Sequence, residues 1–130
     1  MTVFDWLSLS VGLYVVNIFV QAAFANRRYD PKTLLGNRDD FEPDDVHLGR
    51  ARRAQANLTE AMIIFTPLAL GAESMGKGDG LAAIGGAVFF VSRVAYLVIY
   101  VAGVPTLRSI VWATGMIGAG LVFWVVAPFN

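Results

Sequence analysis

The stretch GRARRAQANLTEAM, Gly49–Met62, places three arginines, a glutamine, an asparagine and a glutamate at the head of the apolar run IIFTPLALGA, which occupies residues 63–72. At the α-helical advance per residue, Arg50, Arg53, Asn57 and Glu60 fall within one arc of roughly 80°, with Gln55 almost opposite and Arg52 off the stripe. A charged side chain at the centre of a bilayer costs about 2.5–3.5 kcal/mol on insertion scales. A helix that keeps several such groups on one face therefore directs them towards a protein interior or a ligand.

The rest of the chain makes a bilayer the relevant solvent. Of its 130 residues, 56% are hydrophobic and only 15% charged. The mean hydropathy of +0.58 lies well outside the ordinary globular range. There is no cysteine, so disulfides, thiolate metal sites and a cysteine nucleophile are excluded, and any thiol chemistry uses a thiol brought by a ligand. A formal net charge of zero argues against nucleic-acid binding, which calls for a basic excess. No residue pattern points to a metal. The N-terminus has no basic n-region and no small-residue cleavage site, so the first apolar run is expected to remain as a span.

A hydrocarbon core of about 30 Å asks for roughly 20 apolar residues per helix. Four segments answer: residues 3–25, 47–72, 81–102 and 105–127. The expected fold is a single-domain, all-α integral membrane four-helix bundle. Residues 26–46 form a polar loop with Arg27, Arg28, Lys32 and Arg38, followed by Arg50, Arg52 and Arg53. Basic residues near span ends set orientation, which puts this loop in the cytoplasm and both termini on the opposite side. Pro43, Asp44 and Asp45 suit a helix start, and Pro105 suits the first turn of the last helix. Small residues, among them Gly85 and Gly86 in the third span and Gly115 and Gly118 in the fourth, allow close helix packing.

Further polar groups converge on the loop half. Arg93, Tyr96 and Tyr100 share a face at spacings of three and four, and Arg108 with Ser109 lies at the start of the last helix. Tyr96 and Tyr100 read equally as interfacial aromatics or as site residues. Arg53, Asn57 and Glu60 read either as an internal ion pair with a hydrogen bond or as ligand contacts, and Asn17, Gln21 and Gln55 as links between helices. Arg52 reads as a snorkelling side chain. Several guanidinium forks opposite one carboxylate match a small zwitterionic peptide, with carboxylates for the arginines and an ammonium for Glu60.

These residues carry a family resemblance. The run RAQANLTEAMIIFTP with Arg53, Asn57, Glu60 and Pro67, followed by SRVAYLVIY and PTLRSIVW, resembles the membrane-associated proteins in eicosanoid and glutathione metabolism (MAPEG), and the likeness extends over the whole chain. It implies a homotrimer among membrane lipids that binds glutathione as co-substrate between adjacent subunits. By that likeness Arg53, Asn57, Glu60, Arg93, Tyr96 and Tyr100 hold the tripeptide. Arg108 faces its sulfur as the catalytic group, with Ser109 beside it. The activity implied is that of a transferase or peroxidase acting on a hydrophobic small molecule. Gln55 stands where the family usually has histidine, and Ala56 where its eicosanoid enzymes often have a basic residue. The sequence is closer to the small bacterial members, which implies an inner membrane.

Two rival readings use the same residues. A non-catalytic lipid-binding or scaffold protein would keep the fold and lose the thiol chemistry. A small transporter built on Glu60 and Arg93 would need polar groups through both leaflets, whereas these gather in one.

Overall fold

A computed structural model describes residues 1–39 and 41–129. The described residues form five helices: α1 (Val3–Arg28), α2 (Pro31–Leu35), α3 (Val46–Ser74), α4 (Leu81–Ala102) and α5 (Pro105–Val126). Four are the expected long ones, and α2 is a single short element inside the polar loop. Apolarity departs from expectation. Helices α1, α4 and α5 are long and apolar enough to cross a membrane, whereas α3 is not among them. At 29 residues α3 has ample length, and its polar groups account for the difference: the charges at Arg50, Arg52, Arg53 and Glu60 together with Gln55 and Asn57.

Local chemistry fixes the ends. Thr2 and Asp5 form a reciprocal capping box on α1. The chain then turns extended at Asp30, as a residue preceding proline must, and Asp30 caps α2 by accepting from the Thr33 amide at 2.7 Å. Asp45 does the same for α3 through the Leu48 amide at 2.8 Å. Between them the loop is tied down at its root. Arg28 donates to the Pro43 carbonyl at 2.6 Å, Tyr29 Oη to the Glu42 carbonyl at 2.9 Å, and the Tyr29 and Phe41 rings stack at 4.2 Å. Helix α4 ends at Gly103, whose φ of 84° is left-handed, and Pro105 opens α5 two residues later.

Helices α3 and α4 form the centre, each packing against the other and against α1 and α5. The half remote from the loop is a dry core built on Phe65 and Phe89, stacked with centroids 4.0 Å apart, together with Val3, Leu7, Ala69 and Val122. Helices α4 and α5 meet backbone to backbone there: a Cβ on Gly118 would stand 2.6 Å from the Phe89 nitrogen and 2.7 Å from the Gly85 oxygen. In the loop half the packing instead gathers Ala54, Tyr96 and Tyr100. Apolar side chains such as Phe19, Ile63 and Ile117 point outwards, an arrangement suited to lipid rather than water.

The polar links between helices differ in part from expectation. Helices α1 and α3 share a hydrogen bond between Tyr14 and Thr59 at 3.1 Å. The buried Asn17 Oδ1 and Gln55 Oε1 have no partner among the described residues. Arg52 pairs with Asp44 at the polar-loop end of α3 at 2.9 Å. The acidic end of the loop captures it, because the long Arg52 side chain reaches back about two turns to Asp44, just before the helix start.

Candidate functional site

In the loop half, α3, α4 and α5 enclose a cleft of about 670 Å³ lined by Arg53, Asn57, Glu60, Tyr96, Tyr100, Arg108, Ser109 and Trp112, with Ala56 and Ala113 completing the wall. The helical stripe on α3 thus delivers three of its four members to one space. The end of α4 and the first turns of α5 arrive beside it because the tight turn at Gly103 folds α5 straight back along α4.

Arg53 and Glu60 do not form the internal ion pair that their spacing allows. Arg53 Nε donates instead to Tyr100 Oη at 2.9 Å. Among the described residues the ion pairs are Arg28 with Glu42 and Arg52 with Asp44, so the Glu60 carboxylate stays free to meet a cation. Arg108 lies over the Tyr100 ring at 5.0 Å, and the Tyr96 and Tyr100 rings are 5.4 Å apart. Tyr100 therefore anchors two guanidinium groups at once, one through its hydroxyl and one through its ring face. Both tyrosines are buried in the bundle, which favours the site reading over that of belt aromatics.

Arg93 occupies a different place from the other seven expected residues. It is only 2% exposed and stands behind the cleft wall. It donates to Asn57 Oδ1 at 3.1 Å and to the Trp112 carbonyl at 2.9 Å, and lies between the Phe89 and Tyr96 rings. Room for its guanidinium comes from Gly115, where any Cβ would collide with it. With its Oδ1 engaged by Arg93, Asn57 keeps its amide N–H groups for the cleft.

The sequence reasoning did not single out Trp112 and Ala113 as lining residues, although they lie four residues after Arg108 and Ser109 and hence on the same helical face. Ala56 also lines the cleft, so the absence of a basic side chain there leaves open volume. Chemically, the cleft offers two cationic forks, one unpaired carboxylate, an amide, a hydroxyl and two phenols along one side, with apolar walls leading towards the helix exteriors. Arg108 sits in the first turn of α5, where the positive end of the helix dipole adds to its charge.

A family model described as the MAPEG family matches residues 6–127. The chain belongs to the MAPEG family. That membership and the three apolar helices make it an integral membrane protein. MAPEG proteins include glutathione transferases and peroxidases as well as non-catalytic members, so the family leaves the specific activity to be argued from the site. Comparisons with curated proteins and with solved structures find no match.

Proposed function

We propose that this MAPEG protein is a glutathione-dependent membrane transferase or peroxidase. The observation that carries the reading is the charge arrangement of the cleft: among the described residues Arg53 and Arg108 have no carboxylate partner and Glu60 has no cationic one, within one space of tripeptide size. Glutathione supplies the missing partners. Its carboxylates suit the guanidinium forks, its ammonium suits Glu60, and its amides suit Asn57 and the tyrosine hydroxyls.

Arg108 and the α5 dipole favour the thiolate over the thiol, which lowers the thiol pKa and raises the nucleophile concentration. In the transferase reaction the thiolate sulfur forms a bond to an electrophilic carbon while the leaving group departs with its electron pair. In the peroxidase reaction the thiolate takes the terminal oxygen of a lipid hydroperoxide. The O–O bond breaks and the alkoxide leaves as an alcohol after taking a proton. A second glutathione then converts the sulfenic acid to a disulfide and releases water. On this reading Ser109, beside Arg108 in the cleft wall, donates a hydrogen bond to the sulfur.

The reading includes α3 as a fourth span, since it runs between the apolar α1 and α4 and buries Phe65, Ala69 and Ala72 against them. It also includes a homotrimer in which a neighbouring chain closes the open flank of the cleft, and a cytoplasmic polar loop in a bacterial inner membrane. The alternative of a non-catalytic lipid-binding or scaffold member draws support from Ala56, which removes a charge from the cleft wall. Purified protein incubated with glutathione and either an aromatic halide or a lipid hydroperoxide separates the two. Glutathione consumption that requires Arg108 supports the enzyme, and none with either acceptor supports the scaffold.

A further inference from the structure

Towards the loop, the wall of Arg53, Tyr100 and Arg108 continues into a smaller cavity of about 230 Å³, closed by Arg50 and by the α4–α5 turn at Gly103, Val104 and Pro105. Arg50 does not line the main cleft. Its guanidinium lies flat against the turn: a Cβ on Gly103 would stand 2.5 Å from Nη1 and 2.7 Å from Nη2. Three guanidinium groups therefore border one small space, and among the described residues no carboxylate lines it and none of the three belongs to an ion pair. Arg52, between Arg50 and Arg53 in sequence but off the stripe, has its own acid in Asp44.

We propose that this corner is an oxyanion site of the phosphate class, distinct from the tripeptide cleft that it adjoins. A planar carboxylate satisfies one guanidinium fork, whereas a tetrahedral phosphate presents oxygens in several directions and can be shared by forks arriving from different helices. The cavity is several times the roughly 30 Å³ share of a water molecule, enough for a phosphate group with part of its substituent. Its position at the ends of α3, α4 and α5, beside the polar loop, is the level at which headgroup phosphates lie. A lipid headgroup and free phosphate are thus the two sources of the same chemistry. Because Arg53 and Arg108 border both spaces, an oxyanion held here draws positive charge away from the cleft. On the glutathione reading, it opposes tripeptide binding.

The test uses inorganic phosphate and phosphatidic acid as probes, without glutathione, so failure of the glutathione reading leaves it intact. Phosphate is titrated by calorimetry into the protein in phosphatidylcholine nanodiscs. A second set of nanodiscs contains phosphatidic acid, whose bound fraction is read from its phosphorus resonance. Arg50→Gln, Arg50→Lys and the control Arg52→Gln are measured alongside, with helical content checked by circular dichroism. The site predicts saturable binding weakened about tenfold or more by Arg50→Gln, as expected for loss of a charge-assisted contact. Arg50→Lys should weaken it less, and Arg52→Gln should leave it unchanged. Binding of free phosphate with this pattern assigns a soluble oxyanion, and the same pattern for phosphatidic acid alone assigns a lipid headgroup. Absence of saturable binding of either probe, or binding indifferent to both Arg50 variants, overturns the proposal.

Discussion

The Arg93 guanidinium reaches across the bundle to hold Asn57 Oδ1 at 3.1 Å while its other nitrogen holds the Trp112 carbonyl at 2.9 Å. One buried side chain on α4 thereby joins α3 to α5 and sets the direction in which Asn57 faces the cleft. Replacing it by glutamine leaves acceptors unmet, each costing about 1–3 kcal/mol. Arg93→Gln is expected to lower the thermal midpoint and also to weaken glutathione binding, although Arg93 lines no part of the cleft. Arg93→Lys should recover little, since an ammonium lacks the planar fork that serves both acceptors. Calorimetric titration of the folded fraction checks this. Full glutathione affinity in Arg93→Gln would show that Asn57 needs no positioning.

Glu60 makes the opposite prediction. It has no ion pair among the described residues, so Glu60→Gln should leave the thermal midpoint nearly unchanged. Glutathione affinity should drop roughly ten- to a hundredfold, the equivalent of one charge-assisted hydrogen bond. A large loss of stability with unchanged affinity would return Glu60 to a structural role.

The α4–α5 contact separates two glycines two residues apart. Gly118 faces the backbone of Gly85 and Phe89, whereas a Cβ on Gly120 meets nothing within 4 Å. Backbone atoms have little freedom to move aside, so Gly118→Ala is expected to destabilise by about 1–3 kcal/mol. Gly120→Ala should stay within about 0.5 kcal/mol of the parent. Unfolding midpoints in detergent check the pair, and equal effects would contradict the close approach.

Acid should open the loop helix. The hydrogen bonds from Thr33, side chain first and backbone amide second, hold the Asp30 carboxyl below the ordinary carboxylate value. A depressed folded pKa means that the capping contribution is present above the unfolded pKa of about 3.9 and is lost as pH falls below it through the folded value. The amide resonance of Thr33 should therefore shift in that acidic range. Asp30→Asn, which caps without titrating, should abolish the shift, and a shift that persists in this variant would assign it to another group.

Much of the site was legible because it lies along single helices. The 100° advance alone puts Arg53, Asn57 and Glu60 on one face, and the same arithmetic extended from Arg108 and Ser109 reaches Trp112 and Ala113. What spacing along one helix does not encode is contact between helices. Arg93 shares a helical face with Tyr96 and Tyr100, yet it turns behind the wall because Gly115 on another helix leaves it room and Trp112 offers a carbonyl. Likewise Arg52 meets Asp44 across the first turns of α3, a pair set by the fold of the helix start. The polar residues of α3 that line the cleft also lower its apolarity below that of the other long helices.

The most direct test of the account is a thiolate titration. Glutathione is added to the detergent-solubilised protein and the ultraviolet absorbance of the thiolate is followed against pH, with Arg108→Ala as the comparison. The account predicts a bound thiol pKa well below that of free glutathione, and a return to the free value in the variant while helical content and tripeptide binding persist. Glutathione that binds with an unshifted thiol pKa, or a shift that survives in Arg108→Ala, would contradict it.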